Sequence, residues 1–249
     1  MGDPLIVSLF TEDDQEFHEW SRVRPLADQE RLLLTKYLVK KDKRVIEAGT
    51  GGGSIALFLE NMGFEEIHAF DLSPRMIEAA RINASRTRSK ISFDIADAAN
   101  LHQYQSGYFD YLVYMQQVLC CVPKEGFRQA LTEAYRIAAP GSVSIFSFLN
   151  WESRMLNSLL SMAVNFSRRA RNERSSSRYL PLLLRNRRLN WRYFSSHQPS
   201  FYWPRPQEAV EQIQSVGFRV IETTTEQVGT NGRTSQGTGL YVVASKTSG

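Results

Sequence analysis

Cysteine is nearly absent from this 249-residue chain: Cys120 and Cys121 are the only two, and they are adjacent. That excludes a disulfide framework and a thiolate metal site, and both read as small buried hydrophobes. Histidine is scarce, four in all. None stands with acids at metal-ligand spacing, so no catalytic metal is expected. No apolar run approaches the roughly 18–20 residues that span a bilayer. The apolar start Leu5–Phe10 is short, lacks a basic lead and runs into acids, so it does not read as a signal peptide and a cytoplasmic protein is expected. An excess of one charge is missing too: the formal net charge of +4 is modest for a protein that binds phosphate chains. Gly-Lys-Ser/Thr does not occur, which excludes the nucleoside-triphosphate loop. There is no internal repeat. The length suits one α/β domain over residues 1–249, large enough for a substantial core and an insertion.

What is present concentrates at Val45-Ile46-Glu47-Ala48-Gly49-Thr50-Gly51-Gly52-Gly53-Ser54. This reads as a buried strand ending near an acid, then a glycine turn, then a helix. Glycines turn the backbone sharply and remove side chains that would bar a ligand. Such loops cradle either a phosphate or the body of S-adenosylmethionine (SAM). A dinucleotide loop wants Gly-x-Gly-x-x-Gly, whereas the spacing here is Gly-x-Gly-x-Gly. Glu47 at the strand tip would repel a pyrophosphate but suits the ammonium of a methionine moiety.

Further acids follow in order. Glu66–Phe70 reads as a second strand delivering Asp71, about 20 residues beyond the loop, where an acid accepts from both ribose hydroxyls. Ser73-Pro74 is a helix start with an N-cap serine, and Met76 in its first turn would face an adenine. Ile91–Ile95 alternates as a third strand, followed by Asp97 and Ala98, which suit the adenine amino group and ring. Phe109–Met115 is a fourth strand, leading into Gln116 and Gln117.

Acids after three successive strands, in register with a glycine loop, make the chain resemble class I SAM-dependent methyltransferases, most closely the small-molecule branch called type 11 or type 25 methyltransferase domains. The resemblance covers residues 40–150 by motif and 205–246 by pattern. It implies a doubly wound, Rossmann-like seven-stranded sheet with a terminal antiparallel strand, and SAM across the C-terminal strand ends. The cofactor contacts it implies are Glu47, Gly49, Thr50, Gly51, Gly53, Asp71, Leu72, Met76, Asp97, Ala98, Met115 and Gln116.

Residues 11–40 look helical, with an acidic start suited to the helix dipole. In the resembled family such helices cover the cofactor and contact the substrate, which makes Trp20 and Arg24 substrate candidates, although core packing and surface charge are the plainer roles. Pro123–Ala138 has apolar residues at helical spacing, Pro140-Gly141 ends it, and Val143–Leu149 is a fifth strand. Pro206–Ser215 is a helix stopped by Gly217, and residues 218–222 and 240–244 form a closing strand pair with a Gly/Thr/Asn-rich loop between them.

Residues 150–205 belong to no core element and are too long for a bare connection; in the resembled fold an insertion here is a lid over the substrate. Ten arginines from Arg154 to Arg192 stand against only Glu152 and Glu173, so the remainder of the chain is net acidic. Met155, Leu159, Met162 and Phe166 form a helical apolar stripe, and Trp191 adds aromatic surface and a further substrate candidate. Three readings stay open: a stripe packed on the core under a solvated basic face, a greasy pocket with a basic rim for a lipophilic acceptor taken from an anionic membrane surface, or an RNA surface.

Nucleic-acid chemistry is disfavoured by Met115-Gln-Gln-Val where base-methylating enzymes carry Asn/Asp-Pro-Pro-Tyr/Phe, and by the lack of a Pro-Cys nucleophile. The expectation is methyl transfer to a small aromatic or lipophilic acceptor, with Gln117 near that acceptor. Such a reaction needs in-line positioning and, for a phenol or amine, a base; His197 in the lid and then His18 are the candidates, each with a packing or surface role as its alternative. The competing functions are a SAM-binding module whose basic lid docks on a membrane or partner without catalysis, an RNA methyltransferase, and a nicotinamide-dependent oxidoreductase.

Overall fold

A computed structural model of the chain describes residues 14–153, 157–182, 184–185, 188–190, 194, 199–228 and 234–247. Five strands come first: β1 (Val45–Ala48), β2 (Ile67–Asp71), β3 (Ser92–Ile95), β4 (Phe109–Tyr114) and β5 (Ala138–Leu149). Two more close the sheet, β6 (Arg219–Val228) and β7 (Thr234–Ser245). The order is β6-β7-β5-β4-β1-β2-β3, with β7 antiparallel to both its neighbours and the pairs from β5 to β3 parallel. This is the doubly wound α/β sheet that the sequence implies.

Both faces of the sheet are covered, which is why its strands read as nearly continuous apolar runs. Side chains alternate across it. Val45, Tyr111, Val113 and Ile145 pack with helices α2 (Asp28–Tyr37), α3 (Ser54–Asn61) and α4 (Pro74–Ser85). Ile46, Leu112, Tyr114 and Phe146 pack on the opposite face with α5 (Lys124–Ile137) and α7 (Pro206–Ser215). Ser73 caps α4, its hydroxyl accepting the Met76 amide at 3.4 Å. Strand order reverses at β1, which lies between β4 and β2, and in such sheets ligands bind beyond the strand ends at that switch point.

Three boundaries differ from expectation. The helical character expected over residues 11–40 is interrupted. The described part holds α1 (Asp14–Trp20) and α2, with residues 21–27 non-helical between them; Pro25 disfavours the helical region for Arg24 before it. Pro140-Gly141 is no spacer, because β5 begins at Ala138 directly after α5. The two residues lie where pairing with β4 shifts register, a place where a proline without an N–H is tolerated. The closing strands run on to Val228 and back from Thr234, so much of the expected loop is ladder.

The insertion contains helix α6 (Asn157–Ala170) and two short antiparallel ribbons, Tyr179–Leu180 with Phe201–Tyr202 and Leu184–Arg185 with Arg188–Leu189. Trp151, Val164, Leu180 and Trp203 form its own apolar cluster. Arg178 fastens it to α7, with Nε and Nη2 donating to the Glu208 carboxylate at 2.6–3.0 Å. The apolar stripe does not pack on the core: Leu159, Met162 and Phe166 are 63%, 70% and 78% exposed. Met155 lies outside the described residues. No helix among those residues is long and apolar enough to cross a membrane, and none of their His, Cys, Asp and Glu side chains group to hold a metal.

Candidate functional site at the strand ends

The acids step along one edge of the sheet. Glu47 lies on β1, opposite Ala69 of β2. Asp71 ends β2 two residues further on, opposite Ile95 of β3, and Asp97 follows Ile95 by two. All three therefore leave the C-terminal ends of adjacent parallel strands.

Glu47 is buried, and its Oε2 accepts the Thr50 hydroxyl at 2.7 Å. Burial pushes its carboxyl up to about 8; the Thr50 and Ala56 donors oppose this, and the charges of Asp71 and Glu30 reinforce it. No cation among the described residues contributes to that balance. Asp71 binds the glycine loop to the start of α4, with Oδ2 accepting the Gly51 amide and Oδ1 the Ser73 amide, each at 2.9 Å. Burial raises this carboxyl as well, against the pull of the Ser73, Gly51 and Leu72 amides. A carboxylate has about four lone-pair sites, so these three amides still leave acceptor capacity for a hydroxyl. Asp97 Oδ1 accepts the Ala99 amide at 2.9 Å.

The glycine loop is shaped by protein as much as by any ligand. Gly49 has φ +65°, and a Cβ there would lie 2.3 Å from Val118 Cγ2. At Gly52 a Cβ would lie 2.3 Å from the Ser21 carbonyl oxygen. The segment after α1 is strapped over the loop: Gly52 donates to the Trp20 carbonyl at 2.8 Å, and the Arg24 amide donates to Ser54 Oγ at 3.0 Å. Asn83 of α4 closes the strap, its Nδ2 donating to Ser21 O and Gly52 O at 2.9 Å each. Gly53 then precedes the first residue of α3.

Arg24 stacks on Trp20, with Cζ 3.9 Å from the ring centroid, and its charge acts on Glu30. Glu30 of α2 is buried; burial raises its carboxyl while the Ala27 amide and the Gln116 side chain oppose. Gln116 and Gln117 leave β4 with φ +54° and +60°, a left-handed pair without glycine. Such strained backbone persists only where its surroundings impose it. Here the Gln117 amide donates to Ser147 Oγ at 2.9 Å.

The structure thus couples Glu47, Thr50, Gly51, Asp71, Trp20, Arg24 and Gln116 through the strap and loop. Met115 and Met76 are buried. Leu72 and Ile95 are 37% and 55% exposed apolar groups on either side of Asp71 and Asp97, and Ala98 is buried between β3 and α5. His18 is exposed on α1. His197 and Trp191 lie outside the described residues. Glu30 and Asn83 were missed by the sequence reading. Glu30 looks like one more charge at a helix start, and the contacts of Asn83 join residues 62 and 31 positions away.

The electrostatics fit SAM. A buried carboxyl held protonated beside a second carboxylate suits a ligand carrying an ammonium and a sulfonium, and an acid with spare acceptor capacity at the end of β2 suits a ribose. The apolar groups beyond it suit a base.

Comparison with known proteins agrees. Residues 45–141 match a family model described as a methyltransferase domain. Ribosomal protein L11 methyltransferases match over short stretches: that of Symbiobacterium thermophilum is 37% identical over 76 residues, 30% of this chain and 24% of the relative. The chain spans about a quarter of the length of these curated relatives. Among solved structures, a SAM-dependent methyltransferase from Methanosarcina mazei superposes with TM-score 0.64 at 19% identity, covering 86% of this chain and 97% of that one. The Burkholderia thailandensis 1,6-didemethyltoxoflavin-N1-methyltransferase, with its substrate and S-adenosylhomocysteine bound, gives 0.61 at 14% identity over 98% and 85%. The cyclase SpnF gives 0.61 at 15% identity over 89% and 81%. At these identities the likeness is one of fold.

Proposed function

We propose that this chain, a member of the class I SAM-dependent methyltransferase superfamily, transfers a methyl group from SAM to a small aromatic or lipophilic acceptor. The observation that carries the reading is the edge itself: Asp71 bonded to the glycine loop at 2.9 Å, beside a buried Glu47 on which no cation among the described residues acts. The cofactor supplies the activated methyl on a sulfonium. Glu47 and Gln116 hold its methionine end, with Gly49, Thr50, Gly51 and Gly53 shaping the loop. Asp71 would bind its ribose, and Leu72, Met76, Asp97, Ala98 and Met115 would hold its adenine.

Holding the acceptor in line with the methyl supplies most of the acceleration. Gln117, Trp20, Arg24 and Trp191 are assigned to that acceptor. A phenol or amine must also lose a proton; His197 and His18 are proposed as its acceptor, and the buried carboxyl of Glu30 adds a third group, beside Gln116. A small acceptor is supported by the structural relative that holds one. The ribosomal-protein methyltransferases share only 57–103 residues of similarity with this chain, so they do not carry their acceptor over to it.

Calorimetric titration with SAM and S-adenosylhomocysteine tests the cofactor. Labelled SAM with fractionated cell extract then tests turnover. No binding by the wild-type protein overturns the reading. The likeness to a cyclase favours one alternative, cofactor held without methyl transfer; it predicts tight binding and no label moved to any fraction.

A further inference from the structure

Helix α6 is turned inside out. Several of the residues it directs inward are polar: Ser161 is buried, and the Asn165 side chain exchanges hydrogen bonds with the backbone of Ser176 at 2.9 and 3.0 Å. Arg168 on the same side donates to Tyr179 O and Ser200 Oγ at 3.0 and 2.9 Å. Val164 and Leu160 add apolar anchors, Val164 within the cluster of Trp151 and Trp203 and Leu160 packed against it. Leu159, Met162 and Phe166, spaced three and four apart on one stripe, face outward. Phe194 extends the patch at 47% exposure, held beside the helix by Ser167 Oγ and Arg171 Nη1, which donate to its carbonyl. The polar anchors fix this rotation, so the apolar face is presented by design of the helix and not by a loose fit.

We propose that this face seats on an anionic lipid bilayer, with the outward side chains entering the interface and arginines meeting the headgroups. Arg169 is exposed at the edge of the stripe, and the Arg174 side chain is 95% exposed, within 3.7 Å of Glu125. The whole insertion carries eleven arginines against two glutamates. An apolar helix face rimmed by cations matches the physics of interfacial helices on anionic leaflets. A second copy of the chain fits worse, because a self-complementary contact would set one strongly basic insertion against another. RNA fits worse, since leucine, methionine and a helical phenylalanine stripe offer neither hydrogen bonds nor a groove for a strand. The inference is independent of methyl transfer.

The test is co-sedimentation with vesicles of phosphatidylcholine, with and without phosphatidylglycerol. The wild-type protein is expected on the anionic vesicles alone, with binding weakened by added salt. Met162→Ser with Phe166→Ser should reduce partitioning roughly tenfold or more, and Arg169→Glu with Arg174→Glu should act similarly, without lowering the melting temperature, because all four side chains are solvated. Asp71→Ala should still bind vesicles, which separates this idea from the cofactor reading. Equal partitioning onto neutral and anionic vesicles, no partitioning at all, or full binding by the Met162/Phe166 variant overturns it. So does a wild-type dimer in light scattering that those two serines convert to monomer.

Discussion

Gly52 donates its amide to the Trp20 carbonyl at 2.8 Å, and this bond holds the N-terminal strap on the glycine loop. A methyl group at Gly52 would fall 2.3 Å from the Ser21 carbonyl oxygen, a backbone atom with nowhere cheap to go. Gly52→Ala should therefore lift the strap, with a loss of about 1–3 kcal/mol from overpacking. Limited proteolysis checks it: cleavage between Trp20 and Arg24 should accelerate in the variant, and an unchanged digestion pattern would count against the strap.

Asp71 ties the glycine loop to α4, and in the proposed function it also binds the cofactor; its substitutions should separate the two. Asp71→Ala leaves the Gly51 and Ser73 amides without an acceptor, a loss of about 1–3 kcal/mol. It should also weaken S-adenosylhomocysteine binding tenfold or more. Asp71→Asn keeps one acceptor oxygen and should recover much of the stability and less of the affinity. Paired urea melts and calorimetry read the two effects, and full affinity in both variants would remove Asp71 from the site.

Glu47 should write its own pH dependence. Its folded carboxyl titrates at about 8, against 4.5 for an ordinary glutamate. Between those values the folded protein keeps a proton that the unfolded chain has shed. Unfolding free energy should thus decline as pH rises through this window and level off above it, by a few kcal/mol at most. Glu47→Gln should flatten the profile. A bound ammonium would favour the ionised carboxyl, so SAM binding near neutral pH should release a proton, detectable as a buffer-dependent binding enthalpy. Uptake or no exchange would sink the pairing.

Gln117 offers a test of stored strain. With φ +60°, Gln117→Gly should raise stability by about 1 kcal/mol while lowering turnover. Stability gained with full activity would mean that the conformation serves packing alone.

The sheet and the strand-end acids were legible because their signals are local. Glu47, Asp71 and Asp97 each follow a short alternating or apolar run, and turn residues mark where the run ends. The rotation of α6 was not legible. Periodicity locates a stripe on a helix, but Leu159, Met162 and Phe166 face outward because Asn165 and Arg168 find backbone partners 11 residues along the chain. The strap was hidden for the same reason. A motif reading assigns the glycines to a ligand, whereas Gly52 also makes room for Ser21, 31 residues earlier in a segment whose pattern shows only helix. Pro140 misled in the opposite direction, because a breaker signal does not reveal that a ladder shifts register at that point.

The place of β7 constrains how the molecule can be made. Of the seven strands of this sheet it is the last to leave the ribosome, yet it lies between β5 and β6. Until residue 245 emerges, β5 keeps a bare ladder edge and β6 has no neighbour on which to dock. A nascent chain stalled before that point presents open edges that other chains can extend, so the interval before β7 emerges is the one in which the sheet most needs a chaperone.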